Sequence, residues 1–328
     1  MMRAGRWLAL GVLAVVALAF LAWSAMALWY HAGEPLASRI ALVASWLAMI
    51  AVASSLRWRY PRLCWAMIAL LFVGFSAWWW SIEPRNDRKW AADVSRIVTG
   101  RHEGRIATLE NVRDFDWTSR DVFVERWTTE HYDLADLSSM DVTLSYWGID
   151  AIAHTLVSFG FSDGRHVVFS VEIRRQWDEE FSSLAGFFKS YELALIAATE
   201  RDILYLRTNI RKEDVYLYPI DIPRKAMQTL FVEYVDEGND LTWNPAFYNT
   251  LTANCTTVVF DLAKMIGPGL PTDWRILLSG YLPGYLRDQK VLPWEGSIGA
   301  LRQRAAITAK AGRLSPDDDY SKSIRAGR

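Results

Sequence analysis

The chain has 328 residues and a formal net charge of -1, so it lacks the basic excess of a nucleic-acid binder. Its 17 tryptophans and 52% hydrophobic residues are high for a soluble protein, and the excess lies before Glu83. Of the 2 cysteines, Cys64 sits in an apolar run and Cys255 in a polar region, which leaves no CxxC metal pattern and argues against an intrachain disulfide.

Three apolar runs open the chain: Trp7 to Tyr30, Leu36 to Leu56 and Leu63 to Ile82. Each approaches the ~20 residues that a bilayer-spanning helix needs. The first lacks a convincing cleavage site and two more follow it, so three transmembrane helices are predicted over residues 1–84 rather than a signal peptide. Arg3 and Arg6 precede the first run, and Arg57, Arg59 and Arg62 crowd the second connection, whereas His31 to Arg39 carries only Arg39. By the positive-inside rule the N-terminus faces the cytoplasm and everything after Glu83 lies outside the inner membrane, with Trp78-Trp79-Trp80 as an aromatic anchor.

Residues 85–297 read as an extracytoplasmic α+β domain. Lys89 to Thr99 is predicted as helix. Strand character follows in Arg105 to Trp117, Trp127 to Tyr132 and Asp141 to Tyr146. A hairpin spans Ala151 to Arg174, Leu184 to Tyr191 looks helical, and Leu193 to Ala198, Ile203 to Thr208 and Val215 to Ile220 look like strands. Pro223 opens a helix to Glu237. A second helix starts near Cys255, with Thr252 or Asn254 as N-cap, and stops at Gly267-Pro268-Gly269. Residues 298–328 read as a polar tail, partly helical and then disordered.

Two features carry chemistry. A thiol in the first turn of a helix meets unsatisfied N–H groups and the positive end of the dipole, which favour thiolate; the same position also suits a small residue packed beneath a helix start. In the hairpin, Ser162-Asp163-Gly164 fits a three-residue loop with glycine in the left-handed position. That loop sets His154 opposite Glu172. One face then collects Val157, Phe159, Phe161, Val167, Phe169, Val171 and Ile173, and the other His154, Ser158, His166, Ser170, Glu172 and Arg174. An imidazole and a carboxylate within cross-strand reach can serve a nucleophilic cysteine as base and orienter, or can merely form a polar sheet face. Ser170 and Arg174 share that face and are candidates to contact an anionic substrate group. The histidines show no HExxH or other ligand spacing, and GxSxG, P-loop and GxGxxG signals do not occur, so neither metal nor cofactor is expected.

Several segments in order, Asn111 to Asp116, Ala153 to Phe161, Phe169 to Arg174, Tyr191 to Leu193, Glu200 to Asp202, Tyr216 to Pro219 and Tyr248 to Thr257, resemble the DUF4105 or Lnb N-terminal periplasmic domain family. The resemblance implies a papain-like thiol fold of the circularly permuted NlpC/P60 kind, with histidine ahead of cysteine. It further implies Cys255 as nucleophile, His154 as base and Glu172 as orienter, and an acyl-thioester reaction linked to lipoprotein N-acylation. The backbone at the helix start, with Asn254, is the expected oxyanion site. A membrane-anchored acyltransferase or acyl hydrolase acting on lipid or lipidated protein is the leading expectation. A cell-wall amidase or peptidase and a non-enzymatic envelope module are the alternatives.

Overall fold

A computed structural model describes residues 2–314 and 318–327, with side chains from Trp7. The side chains of Arg3 and Arg6, which enter the orientation argument, and residues 315–317 of the expected tail lie outside the described residues. The chain divides into two compact units, one running to Pro84 and including Ser182–Ser190, the other Arg85–Phe181 with the chain from Tyr191 onward.

In the first unit, helices α1 (Met2–His31), α2 (Leu36–Ser55) and α3 (Pro61–Ser81) carry apolar side chains around their circumference and are long enough to cross a membrane. Pro61 stands at the start of α3, where its missing N–H has no partner to lose. Trp46, Phe75 and Phe188 pack together, and Trp46 Nε1 donates to Ser24 Oγ at 2.9 Å. Lys189 Nζ donates to the Trp79 and Ile82 carbonyls at 2.9 and 3.2 Å, satisfying acceptors at the end of α3.

The second unit is α+β. Its strands are β1 (Thr99–Glu103), β2 (Ile106–Arg113), β3 (Asp116–Trp117), β4 (Phe123–Val124), β5 (Trp127–Asp133), β6 (Leu137–Tyr146), β7 (His154–Phe161), β8 (His166–Arg174), β9 (Glu192–Thr199) and β10 (Asp214–Pro219). Among the described residues they form a sheet in the order β1-β2-β9-β8-β7-β6-β10, with β5 also on β2 and β3-β4 as a separate pair. All these pairings are antiparallel except β2 with β9. The β7-β8 register, Leu156↔Ser170 to Gly160↔His166, is the one that the three-residue loop demands. At the tip Gly164 has φ 87, a left-handed conformation that glycine alone adopts without strain.

One sheet face receives α5 (Arg224–Trp243), whose Phe231 and Tyr234 meet Phe159 and Phe169 with ring centroids 4.8–5.9 Å apart. Edge-to-face and stacked rings of this kind bury large area and restrict register. The other face, expected to be polar, is covered by α4 (Glu200–Tyr205), the π-turn Leu206–Ile210 and the segment around Val94 and Ser95, and Ser158, Ser170 and Arg174 are buried there.

Several expectations need correction. Lys89 to Thr99 contains only a short 3-10 turn at Ala92–Val94. Its carbonyls are instead held by buried arginines: Arg113 donates to Asp93 O at 2.7 Å, and Arg174 to Val94 O and Ser95 O at 3.1 and 2.8 Å. Ile203 to Thr208 is helical rather than strand, because Thr199 caps the Asp202 N–H and two carboxylates occupy the first turn. Leu184 to Tyr191 contains only the 3-10 turn Ala185–Phe187.

The expected disordered tail is packed structure over its described part. Helices α7 (Trp274–Leu277) and α8 (Leu282–Asp288) lead into α9 (Ile298–Ala305), α10 (Thr308–Ala311) and α11 (Tyr320–Arg325). Leu301, Ile307, Tyr320 and Ile324 join the main core. Arg325 ion-pairs with buried Glu200 and Asp141 at 2.7 Å. Sparse apolar residues at helical spacing were enough, because each falls on a buried contact.

Candidate active site

Cys255 stands two residues ahead of α6 (Thr257–Ile266), in the turn that leads into it. Asn254 shapes this turn: its Oδ1 accepts from the Thr256 and Thr257 N–H groups at 2.9 and 3.0 Å, while Thr257 Oγ1 accepts from the Asn254 N–H at 2.8 Å. This reciprocal box satisfies the donors that a helix start leaves open. Asn254 Nδ2 donates to Thr250 O at 2.8 Å. The asparagine expected at the oxyanion site is thus the cap that fixes the thiol's backbone, and its own N–H is directed elsewhere.

His154 begins β7, where the chain arrives from a loop held by a second segment. Ser279 Oγ accepts from Ala153 N at 2.9 Å and donates to Ala153 O at 2.6 Å, and Gly280 N donates to Ala151 O at 3.0 Å. A Cβ on Gly280 would lie 1.9 Å from Asp150 O, so only glycine permits this approach.

The structure brings Cys255, His154, Glu172 and Ser170 together. His154 Nε2 lies 2.8 Å from Ser170 Oγ and 3.1 Å from Glu172 Oε1, and Ser170 Oγ donates to the same carboxylate oxygen at 2.7 Å. The Cys255 thiol is close enough that it and the ring each shift the other's titration. Burial works against the imidazolium, but the charges of Glu172 and Cys255 outweigh it and His154 is raised to about 9. Burial likewise opposes the thiolate, yet His154, the Thr155 backbone and the Thr256 hydroxyl lower Cys255 below its ordinary value. Glu172 is held well below the usual carboxylate range, burial being overcome by His154, Arg207 and Ser170. These shifts favour a thiolate–imidazolium pair near neutral pH. Cys255 is half-buried.

Arg174 does not join the site. Beyond the two carbonyls already named, it donates to Asn86 Oδ1 at 2.6 Å and lies over the Trp90 ring at 4.5 Å, all structural contacts. Its assignment to substrate is therefore withdrawn.

Two site residues escaped sequence reasoning. Arg207, 5% exposed, pairs with Glu172 at 3.0 Å and with Glu213 at 3.2 Å, and Glu213 also accepts from Ser145 Oγ. A single arginine inside the apolar run Ile203 to Ile210 was the available signal, since buried arginine requires a partner. Tyr248 is near enough that Cys255 and Glu172 add to burial in raising its phenol.

An α+β domain with a helix-start thiol beside a histidine and carboxylate defines a protein with the groups for thiol chemistry. Residues 123–280 match the family model of the Lnb N-terminal periplasmic domain. That match and the three apolar helices fit a membrane protein with a periplasmic domain. No curated protein and no solved structure matched the chain.

Proposed function

We propose that this protein is a membrane-anchored thiol enzyme that transfers or hydrolyses an acyl group on a lipid-linked substrate in the periplasm. The observation that carries the reading is the connected set Cys255, His154 and Glu172, with the imidazole raised to about 9 and the thiol lowered. The order histidine, carboxylate, cysteine, with the thiol at a helix start against an antiparallel sheet, supports a permuted papain-like domain of NlpC/P60 type. The arginines flanking the membrane helices support a cytoplasmic N-terminus.

In the first step the Cys255 thiolate attacks the carbonyl carbon of an acyl ester or amide. The C–S bond forms, the bond to the leaving oxygen or nitrogen breaks, and His154 gives that atom its proton. In the second step an amine or water, losing a proton to His154, attacks the thioester carbon. The C–S bond breaks and the thiolate returns. Glu172 stabilises the imidazolium throughout, and Ser170 and Arg207 fix the carboxylate. Tethering the domain to a bilayer raises its effective concentration toward lipid-borne substrate.

Replacing Cys255→Ala tests the reading by mass spectrometry of lipoproteins and lipids from cells with and without the variant. Loss of an acylated or deacylated species is expected. An unchanged lipid and lipoprotein profile would refute it.

A further inference from the structure

An apolar cavity of about 390 Å³ lies behind the candidate site, within the volume range of small-molecule pockets. One wall is a single face of the cysteine helix: Thr256, Val259, Phe260, Ala263, Ile266 and Gly267 recur at helical spacing. The opposite walls come from β6, β7, the start of α5 and α8. Thr256 and Gln289 are among its few polar contributors, and among the described residues no charged side chain lines it. Thr256 belongs to both regions: its hydroxyl lies 3.9 Å from Cys255 Sγ, and its side chain borders the cavity.

We propose that this cavity receives one linear hydrocarbon chain, that of the acyl group whose carbonyl reaches Cys255. The proposal rests on the thiol reading above and specifies where its substrate's chain goes. Three features point to this occupant. Thr256, the residue after the nucleophile, lines the cavity, so a chain attached to a carbonyl at sulfur would enter beside it. The walls are aliphatic and aromatic, which suits methylenes and penalises a peptide or sugar, whose polar groups would be left without partners. Its helical wall runs the length of α6, 10 residues or about 15 Å at 1.5 Å per residue. One leaflet of a bilayer's hydrocarbon core is about 15 Å deep, so the chain of an ordinary membrane lipid matches that span.

Ala263 and Ala226 then act as specificity residues, because their small side chains border the cavity part-way along it. A phenylalanine at either position would occupy space that a long chain needs and a short chain does not. Each buried methylene contributes about fourfold in affinity, so losing two or more lowers preference for a long chain by on the order of tenfold or greater.

The test has two arms on the full-length protein in nanodiscs. In the first, Cys255-dependent turnover of 12-carbon and 4-carbon p-nitrophenyl esters is compared in wild type, Ala263→Phe and Ala226→Phe. A fall of tenfold or more in the long-to-short ratio of kcat/KM supports the proposal; an unchanged ratio, with turnover still dependent on Cys255, overturns the cavity assignment and leaves the thiol reading standing. In the second, a 16-carbon chain with a terminal diazirine is presented to Cys255→Ser protein, carried either on phosphatidylglycerol or on a diacylglyceryl peptide. Crosslinks mapped to Ile266, Leu286 or Val291 support the proposal, and the productive carrier identifies the source of the chain. Crosslinks confined to the membrane helices overturn it. Crosslinks in the cavity without Cys255-dependent turnover of either ester support the chain site and refute the thiol reading.

Discussion

Replacing Glu172→Gln should separate a thiolate–imidazolium pair from two buried groups that merely touch. At 3.1 Å, two unit charges attract by about 5 kcal/mol at an effective dielectric of about 20. Arg207 lies 3.0 Å from the same oxygen and itself opposes charge on His154. With that opposition and partial solvent access the net effect is discounted to about 1.5–3 kcal/mol, or one to two pKa units. His154, raised to about 9 in the native site, would drop by that amount, and Cys255 would lose the cation that holds its proton off. The assay is the rate of iodoacetamide alkylation of full-length protein against pH, read by mass spectrometry at Cys255. Wild type should react as thiolate below the ordinary thiol value of about 8.5. The midpoint should rise by one to two units in Glu172→Gln. In His154→Ala it should rise further, because burial is then opposed only by the Thr155 backbone and the Thr256 hydroxyl. A Glu172→Gln profile that overlays wild type, or a His154→Ala thiol as reactive as wild type at pH 6, would refute the reasoning.

Other expectations concern the frame around the thiol. Gly280→Ala would place a methyl 1.9 Å from Asp150 O. The strain should be about 1–3 kcal/mol, lowering the thermal midpoint by several degrees and slowing Cys255 alkylation as His154 shifts. Arg325→Met leaves Glu200 and Asp141 buried without their cation, a loss on the order of 3–5 kcal/mol measurable in thermal unfolding. Glu200 is lowered to about 2 because Arg325 and other partners overcome burial. A depressed carboxylate stabilises above its ordinary value and loses that contribution as pH falls through the folded value. The stability gap between wild type and variant should therefore be full above about pH 4.5 and close as pH falls toward 2; a gap that does not change with pH would show that the Glu200 charge contributes nothing.

The hairpin shows what local pattern can decide. A three-residue loop with one glycine and a period-two alternation admit a single register, since any slip by one residue would expose the aromatic face. The pairing of His154 with Glu172 is therefore legible in the sequence. So is the helix start at Asn254 and Cys255, where capping chemistry is short-range. The membrane helices were legible for a different reason: a bilayer demands unbroken apolar length.

Arg174 marks where that legibility ended. Its parity placed it on the face of His154, but parity says nothing of which elements cover that face. Only the folded chain brings Asp93, Val94 and Ser95 over the sheet, satisfied by Arg113 and Arg174 instead of by their own helix. The same holds for Arg207, whose carboxylates come from β8 and from Glu213, and for the last helices, whose scattered apolar residues had no visible partner. The sequence by itself determined the membrane helices, the hairpin register and the capped cysteine, because each follows from neighbours in the chain. The tertiary structure decided that the thiol meets the hairpin's histidine, and that an apolar cavity lies behind the helix carrying it. Those contacts join residues about one hundred positions apart, and only packing selects among such pairings.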